Sequence, residues 1–241
     1  TNFTVERNAG VYNGSPNTAT GAYYFLGTPV TGATLSNWSV SGRFNQVFTG
    51  LNRSTYTFDA TAGWASGTAT TAMNPGTGAQ IWADQSLQRN NIPFAINGNG
   101  ITTGNVDITD NAANTTTFKL VANPYPSSID FGSVRTASTN IDNSYWVWSH
   151  ANRSYAVVTN GNSSIGGLSN VLASSQGFFV KATAAGAYSV NFRESHKTTA
   201  TNTAIGRTAV NPAIRMTLAG GNNVTSNAAI FFQPNATRNF D

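Results

Sequence analysis

Short apolar runs recur along this chain every ten residues or so, and clusters of Asn, Gly, Ser, Thr and Pro separate them. That rhythm predicts many short strands joined by turns. Several runs alternate apolar and polar residues, as in Phe3-Thr4-Val5-Glu6-Arg7 and Asn105-Val106-Asp107-Ile108-Thr109. A period of two places the apolar side chains on one face of a strand. The same reading predicts strands over residues 23–26, 35–40, 56–59, 79–82, 92–96, 144–149, 155–159, 178–181 and 188–192. A final hairpin is predicted to pair 213–218 with 228–232. Residues 165–173 are the one stretch expected to form a short helix.

The strands repeat as a set. Tyr23-Tyr24-Phe25-Leu26-Gly27-Thr28-Pro29-Val30 and Thr117-Phe118-Lys119-Leu120-Val121-Ala122-Asn123-Pro124-Tyr125-Pro126 each run an apolar strand into a small residue, a polar residue and proline. An aromatic cluster follows each: Tyr56, Phe58 and Trp64, then Tyr145, Trp146, Trp148 and Tyr155. A glycine then opens a strand, Gly78 in one case and Gly177 in the other. Pro29 to Gly78 spans 49 positions and Pro124 to Gly177 spans 53. Three landmarks kept in order indicate a duplicated β module. The fold class is therefore all-β: two related β-sandwich-like lobes with a C-terminal β-hairpin. The lobes are expected at 1–110 and 111–241, with the boundary between copies near 109–116 and the hairpin completing one lobe.

Composition supports this architecture and narrows the chemistry. Hydrophobic residues make up 39% of the 241, enough for a packed core, yet charged residues only 9%, against roughly 25% in average globular domains. Asn, Thr, Ser and Gly supply the polar surface instead, and they suit turns and exposed strand faces. The net charge of +4 comes from few groups, and the ten arginines are scattered from Arg7 to Arg238. A nucleic-acid groove would cluster them. Cysteine is absent, which excludes disulfides, thiolate metal sites and cysteine nucleophiles. No apolar run approaches the roughly 18 residues of a membrane span. The start at Thr1, without methionine, fits a processed or excised chain.

The second copy carries the most specific motifs. Asn123-Pro124-Tyr125-Pro126-Ser127-Ser128-Ile129-Asp130, then Asn140-Ile141-Asp142-Asn143-Ser144-Tyr145-Trp146-Val147-Trp148, then Gln176-Gly177-Phe178-Phe179-Val180-Lys181, in that order, resemble a module of large secreted proteins of Bacteroidota. That module stands upstream of a type IX secretion sorting domain. Phe25 to Val30 and the Gly-rich stretch from Gly100 to Val106 look like the segment that precedes it there. The ending, Asn235 to Asp241, looks like the point before the family's next domain. The resemblance implies export to the bacterial surface or medium and brings no catalytic residues with it.

Each candidate site has a structural reading beside the functional one. The Asn123-Pro124-Tyr125-Pro126 turn could offer Tyr125 as a ligand platform, or could be a rigid turn whose prolines fix φ, with one bond open to the cis form. Trp146 and Trp148 share a face if their strand is regular, with Tyr145 and Val147 on the other, and one of these faces is the core. Five tryptophans invite a sugar platform, but most lie in strands where burial is the default. Asp107 and Asp110, with Asn111, could ligate calcium or could be solvated turn residues. His150 and His196 are the only histidines. Glu194, Ser195 and His196 do not make a triad if they lie on a strand, where neighbours face opposite ways, and no serine has the nucleophile-elbow pattern.

The expected function is a structural or adhesive module of a secreted bacterial surface protein: a stalk, filament subunit or display domain. It would act by packing and by strand-mediated association through Phe3, Val5, Ile230 and Phe232, with itself or with other domains. It is read as a non-enzyme without cofactor or metal. The alternative is a carbohydrate-binding module of a secreted enzyme, with glycans as partners. Phe25, Trp64, Ile81, Leu120, Trp148, Phe179 and Phe192 are the expected core.

Overall fold

The computed structural model describes residues 3–9, 21–40, 43–44, 55–84, 92–149, 154–165, 167–200, 213–219 and 225–231. The chain divides into two compact units, Thr1–Thr208 and Ala209–Asp241. Among the described residues the first unit is mostly strand, with one short helix. Its first copy supplies β1 (Phe3–Ala9), β2 (Gly21–Gly27), β3 (Val30–Thr31), β4 (Ala33–Thr34), a 3-10 turn at Leu35–Asn37, β5 (Trp38–Val40), β6 (Arg43–Phe44), β7 (Thr55–Asp59), β8 (Gly63–Ser66), β9 (Ala72–Met73), β10 (Gly78–Asp84), β11 (Ile92–Gly98) and β12 (Gly100–Ile101). Its second copy supplies β13 (Val106–Ala112), β14 (Phe118–Ala122), β15 (Ser128–Asp130), α1 (Phe131–Ala137), β16 (Ser144–Ser149), β17 (Ser154–Thr159), β18 (Asn162–Ser163), β19 (Val171–Leu172), β20 (Gly177–Lys181), β21 (Gly186–Phe192), a 3-10 turn at Glu194–His196 and β22 (Lys197–Thr198). The second unit holds one antiparallel hairpin, β23 (Ala213–Ala219) with β24 (Thr225–Phe231).

The strand pairing repeats between the copies. In the first, β2 pairs with β10, β10 with β7 and β7 with β8. In the second, β14 pairs with β20, β20 with β16 and β16 with β17, and β18 is added at the end. The registers match as well: Gly27 lies opposite Gly78, and Ala122 lies opposite Gly177. Gln80 faces Tyr56 as Phe179 faces Trp146, and Phe58 faces Trp64 as Trp148 faces Tyr155. A second layer repeats too. The opening strand of each copy makes a seven-residue antiparallel pair with its last long strand, β1 with β11 and β13 with β21. The landmarks noted in the sequence thus hold equivalent positions.

The copies are joined about a pseudo-twofold axis. Gly27 N–H donates to the Ser175 carbonyl at 2.9 Å, and Ala122 N–H donates to the Gly76 carbonyl at 2.9 Å. Leu26 bridges to Gln176, and Val121 bridges to Thr77. Each contact has its mirror in the other copy. At two glycines this join leaves no room for a side chain. A Cβ on Gly177 would lie 2.6 Å from the Phe25 carbonyl carbon, and one on Gly78 would lie 2.9 Å from the Val121 oxygen. Glycine opens both strands because the backbone of the other copy runs directly against them.

Among the described residues, two apolar clusters follow from this arrangement. The larger one belongs to the second copy and includes Val121, Tyr125, Ile129, Phe131, Tyr145, Val147, Phe178 and Phe192. The smaller one lies across the join, with Phe25, Leu120 and Phe179 buried and Phe58, Phe118, Trp146 and Trp148 packed against them. In the first copy Leu26, Val30, Leu35, Met73, Ile81 and Ile96 are buried.

Several expectations are corrected. The helix is not at 165–173, whose described residues are β19 and irregular chain, but at Phe131–Ala137. Asp130 caps it by accepting from Ser133 N–H at 2.8 Å, which satisfies one of the helix's free donors. Residue 110 is not a boundary, because β13 runs through it from Val106 to Ala112 and pairs with the last long strand of the second copy. No described peptide bond is cis, including those of the Asn123–Pro126 turn. Trp64 is not core but 39% exposed, and Trp148 is half-buried, whereas Phe25, Ile81, Leu120, Phe179 and Phe192 are buried as expected.

Candidate functional site

The aromatic clusters of the two copies meet at the pseudo-twofold axis and frame a cleft. Alternation in β16 sends Tyr145 and Val147 into the core and turns Trp146 and Trp148 to the opposite face. In the other hairpin, β7 and β8 bring Phe58 and Trp64 side by side, 5.1 Å between centroids at 69°. Trp148 and Tyr155 repeat that pair at 5.3 Å and 75°. Phe179 of β20 stands between the hairpins, 4.9 Å from Phe58, 6.0 Å from Trp64 and 6.0 Å from Tyr155. Phe118 meets Trp146 edge to face at 5.1 Å.

These side chains enclose an open cavity of about 250 Å³, lined by Phe58, Trp64, Phe118, Trp146, Tyr155 and Phe179. The floor is buried, but the rim is not: Trp64 is 39% and Tyr155 44% exposed. Trp64 stacks on the buried Phe25 at 5.8 Å and 29°, and Tyr155 lies near the same ring at 6.2 Å and 30°. Burial raises the Tyr155 hydroxyl's pKa above its ordinary value, so it stays protonated at neutral pH.

Of the residues singled out in the sequence, Trp146 lines this cleft and Trp148 packs beside it. Trp64 was expected in the core and Tyr155 was not singled out as a site residue. The signal for both is the repeat itself: each sits opposite an aromatic on the neighbouring strand, at the same place in its copy.

Tyr125 is elsewhere and is fully buried. Its hydroxyl donates to the Gly104 carbonyl at 2.6 Å, and its pKa is pushed up to about 12, first by burial and then by Glu194. The motif around it is a structural turn. The Asn123 side-chain amide donates to the carbonyls of Ser127, Leu172 and Ala173, and its oxygen accepts Tyr125 N–H. Thr28 repeats the device in the first copy, accepting Val30 N–H at 3.1 Å.

The two candidate calcium ligands do not converge. Asp107 and Asp110 lie on opposite faces of β13; Asp110 pairs with Lys119 at 2.6 Å, and Asp107 pairs with Arg193. Glu194, Ser195 and His196 form a 3-10 turn rather than a strand. Glu194 pairs with Lys197 and accepts Gly104 N–H, while His196 is buried and accepts Arg193 N–H at Nδ1. Asp130 is committed to capping α1. His150 and Phe232 lie outside the described residues, as do the side chains of Phe3, Val5 and Ile230; Phe3 and Val5 fall on β1, and Ile230 falls on β24. Among the described residues, no helix is long and apolar enough to cross a membrane. Comparison with family models, curated proteins and solved structures finds no match.

Proposed function

We propose that this chain is a structural or adhesive module of a secreted bacterial surface protein, working through strand-mediated association. The observation that carries the reading is the state of its opening strands. Among the described residues β1 and β13, each seven residues long, stand at the ends of their sheets and pair on one side only, with β11 and β21. A strand edge of that length is a template for another strand. Lysine is the usual blocker of such edges, and the three lysines, Lys119, Lys181 and Lys197, lie on β14, β20 and β22. Low charge weakens the repulsion that keeps copies apart. The motif resemblance of the second copy supports a place at the bacterial surface.

Light scattering on the whole chain, with and without residues 1–10, tests the proposal. Concentration-dependent association that the truncation weakens is the expected result. Melting curves taken alongside separate loss of the edge from loss of the fold. A strict monomer, unchanged by the truncation, defeats the reading.

A further inference from the structure

We infer that the turn Arg193–Lys197 is an acid-sensitive clamp on the linker between the two copies, closed while His196 is neutral and released when that side chain takes a proton. This goes beyond strand association and does not rest on it. It follows from what the linker touches and from how the turn that holds it is built.

The linker is short. Gly100 and Ile101 still pair with Thr31 and Val30 of the first copy, and Val106 already pairs with Phe192 of the second. Between them Thr103, Gly104 and Asn105 are exposed, and Gly104 sits in the left-handed region at φ 76°. Exposed connecting chain is ordinarily left to water. Here the peptide groups of Gly104 are taken by two side chains of the second copy. Its N–H donates to Glu194 Oε1 at 2.8 Å, and its carbonyl accepts the Tyr125 hydroxyl at 2.6 Å. Lys197 ties the two holders together: its ammonium pairs with Glu194 and lies 4.7 Å from the centre of the Tyr125 ring. Arg193 pairs with Asp107, the second residue of β13, just past the linker. Three charged side chains of one turn are thus committed to the linker and its margin.

His196 braces that turn. Its own N–H donates to the Arg193 carbonyl at 3.0 Å, and its Nδ1 accepts the Arg193 N–H at 3.2 Å. The second bond is the reach-back half of a capping box, with an imidazole where Glu or Gln usually stands. An imidazole can accept only while it is neutral. Because Nδ1 accepts, the neutral ring carries its hydrogen on Nε2, so an added proton goes to Nδ1 and sets two donors face to face. His196 is buried, and burial is the first influence that keeps it neutral. Of the charged groups around it, Arg193 opposes a proton and Asp130, at the start of α1, favours one; Glu194 and Lys197 are paired with each other. Arg135, in the last turn of α1, does not bear on it. Protonation therefore costs the turn its brace, and the turn carries Glu194 off Gly104. Each copy keeps buried residues of its own, so the release is local.

The test is amide hydrogen exchange of the whole chain, followed by NMR at about pH 7.5 and about pH 5 and corrected for the pH dependence of exchange itself. That interval spans the ordinary histidine pKa of about 6.5 and leaves the Glu194 carboxyl ionised, because Lys197 holds its pKa down. Protection of Gly104 should fall roughly ten-fold or more at the lower pH, the scale of losing a hydrogen bond to a charged group. Val190, fully buried on β21, should stay protected. Glu194→Ala should leave Gly104 poorly protected at both pH values. His196→Gln keeps an acceptor that does not titrate and should hold Gly104 protected at both. Glu194→Ala removes the exposed end of the clamp and leaves His196 in place, so the inference stays testable if His196→Gln fails to fold. It is overturned if the parent protects Gly104 equally at both pH values, if Glu194→Ala leaves that protection unchanged, or if His196→Gln keeps the parent's response. It is overturned too if Val190 loses protection in step with Gly104, which is global unfolding and not a clamp.

Discussion

Gly27 and Ala122 stand back to back where the two copies join. A Cβ built on Gly27 would lie 2.1 Å from the Cβ of Ala122 and 2.7 Å from the Thr77 carbonyl oxygen. Both residues end equivalent strands, and one of the two positions has to be free of a side chain. Gly27→Ala is therefore expected to destabilise the first unit by about 1–3 kcal/mol, the usual cost of overpacking. Adding Ala122→Gly should recover part of that loss, because it removes one of the two clashing carbons. Denaturant unfolding of the two single variants and the double variant measures the coupling. Additive losses would show that the two positions do not meet.

Asn123 is the second test. Its buried amide serves three carbonyls of two separate segments, and its oxygen holds the Tyr125 N–H. Asn123→Ala leaves these groups buried without partners, at roughly 1–3 kcal/mol for each one orphaned. Asn123→Asp should be at least as damaging, since it sets a carboxylate against carbonyl oxygens. The melting temperatures of the two variants provide the check. A ligand-loop role for Asn123 without a structural one predicts little change in either.

Rim and core aromatics should separate in stability. Phe178 is fully buried among Phe131 and Tyr145, at 5.9 and 5.7 Å. Phe178→Ala is expected to cost roughly 3–5 kcal/mol. Trp64→Ala should cost about 1 kcal/mol, the scale of its ring contacts. Equal losses in chemical denaturation would place Trp64 in the core after all.

Acid should weaken the fold in two stages. The Lys119 ammonium beside Asp110 holds that carboxyl below its ordinary pKa, and Lys197 with the Gly104 N–H does the same for Glu194. Backbone N–H groups of Ala62 and Thr61 lower Asp59. A depressed carboxyl stabilises the fold above its unfolded pKa, about 4, and this contribution is lost as pH falls through the lower folded value. His196 is also depressed, first by burial and then by Arg193, with Asp130 opposing. Its contribution is complete above about pH 6.5 and is lost as pH falls through its folded value. Melting temperature against pH should therefore fall first below neutrality and again in the carboxylate range. His196→Gln should remove the first step and Asp110→Asn should shrink the second. A His196 resonance titrating at or above 6.5 would contradict the assignment.

Strands were legible where alternation or β-branched and aromatic runs were strong. Residues 144–149 and 155–159 were read as a hairpin, and 178–181 and 188–192 as strands, close to the bounds observed. The repeat was legible because Gly78 and Gly177 mark places where the other copy leaves no room for a side chain. The helix was missed because its hydrophobic period is short: only Phe131 and Val134 point inward, and the signal was the cap, Asp130 followed by Ser133. The copy boundary was misplaced because the polar stretch at 109–116 is partly strand, its odd positions facing water along β13. The cleft was only half legible. Parity put Trp146 and Trp148 on one face, but period-two reasoning does not say whether that face meets solvent or a second module. That depends on the join, whose register is set by backbone hydrogen bonds that leave no mark in the hydrophobic pattern.

The reciprocal hydrogen bonds of Gly27 and Ala122 have the form of an isologous interface, in which the same patch of each partner gives and receives the same contacts. Two separate polypeptides related in this way would form a homodimer and would come apart on dilution. Here a single chain carries both halves, so the contact is unimolecular and independent of concentration. Tethering also frees the halves to diverge. One keeps tryptophan where the other has tyrosine, and glycine where the other has alanine, an asymmetry that identical subunits could not maintain.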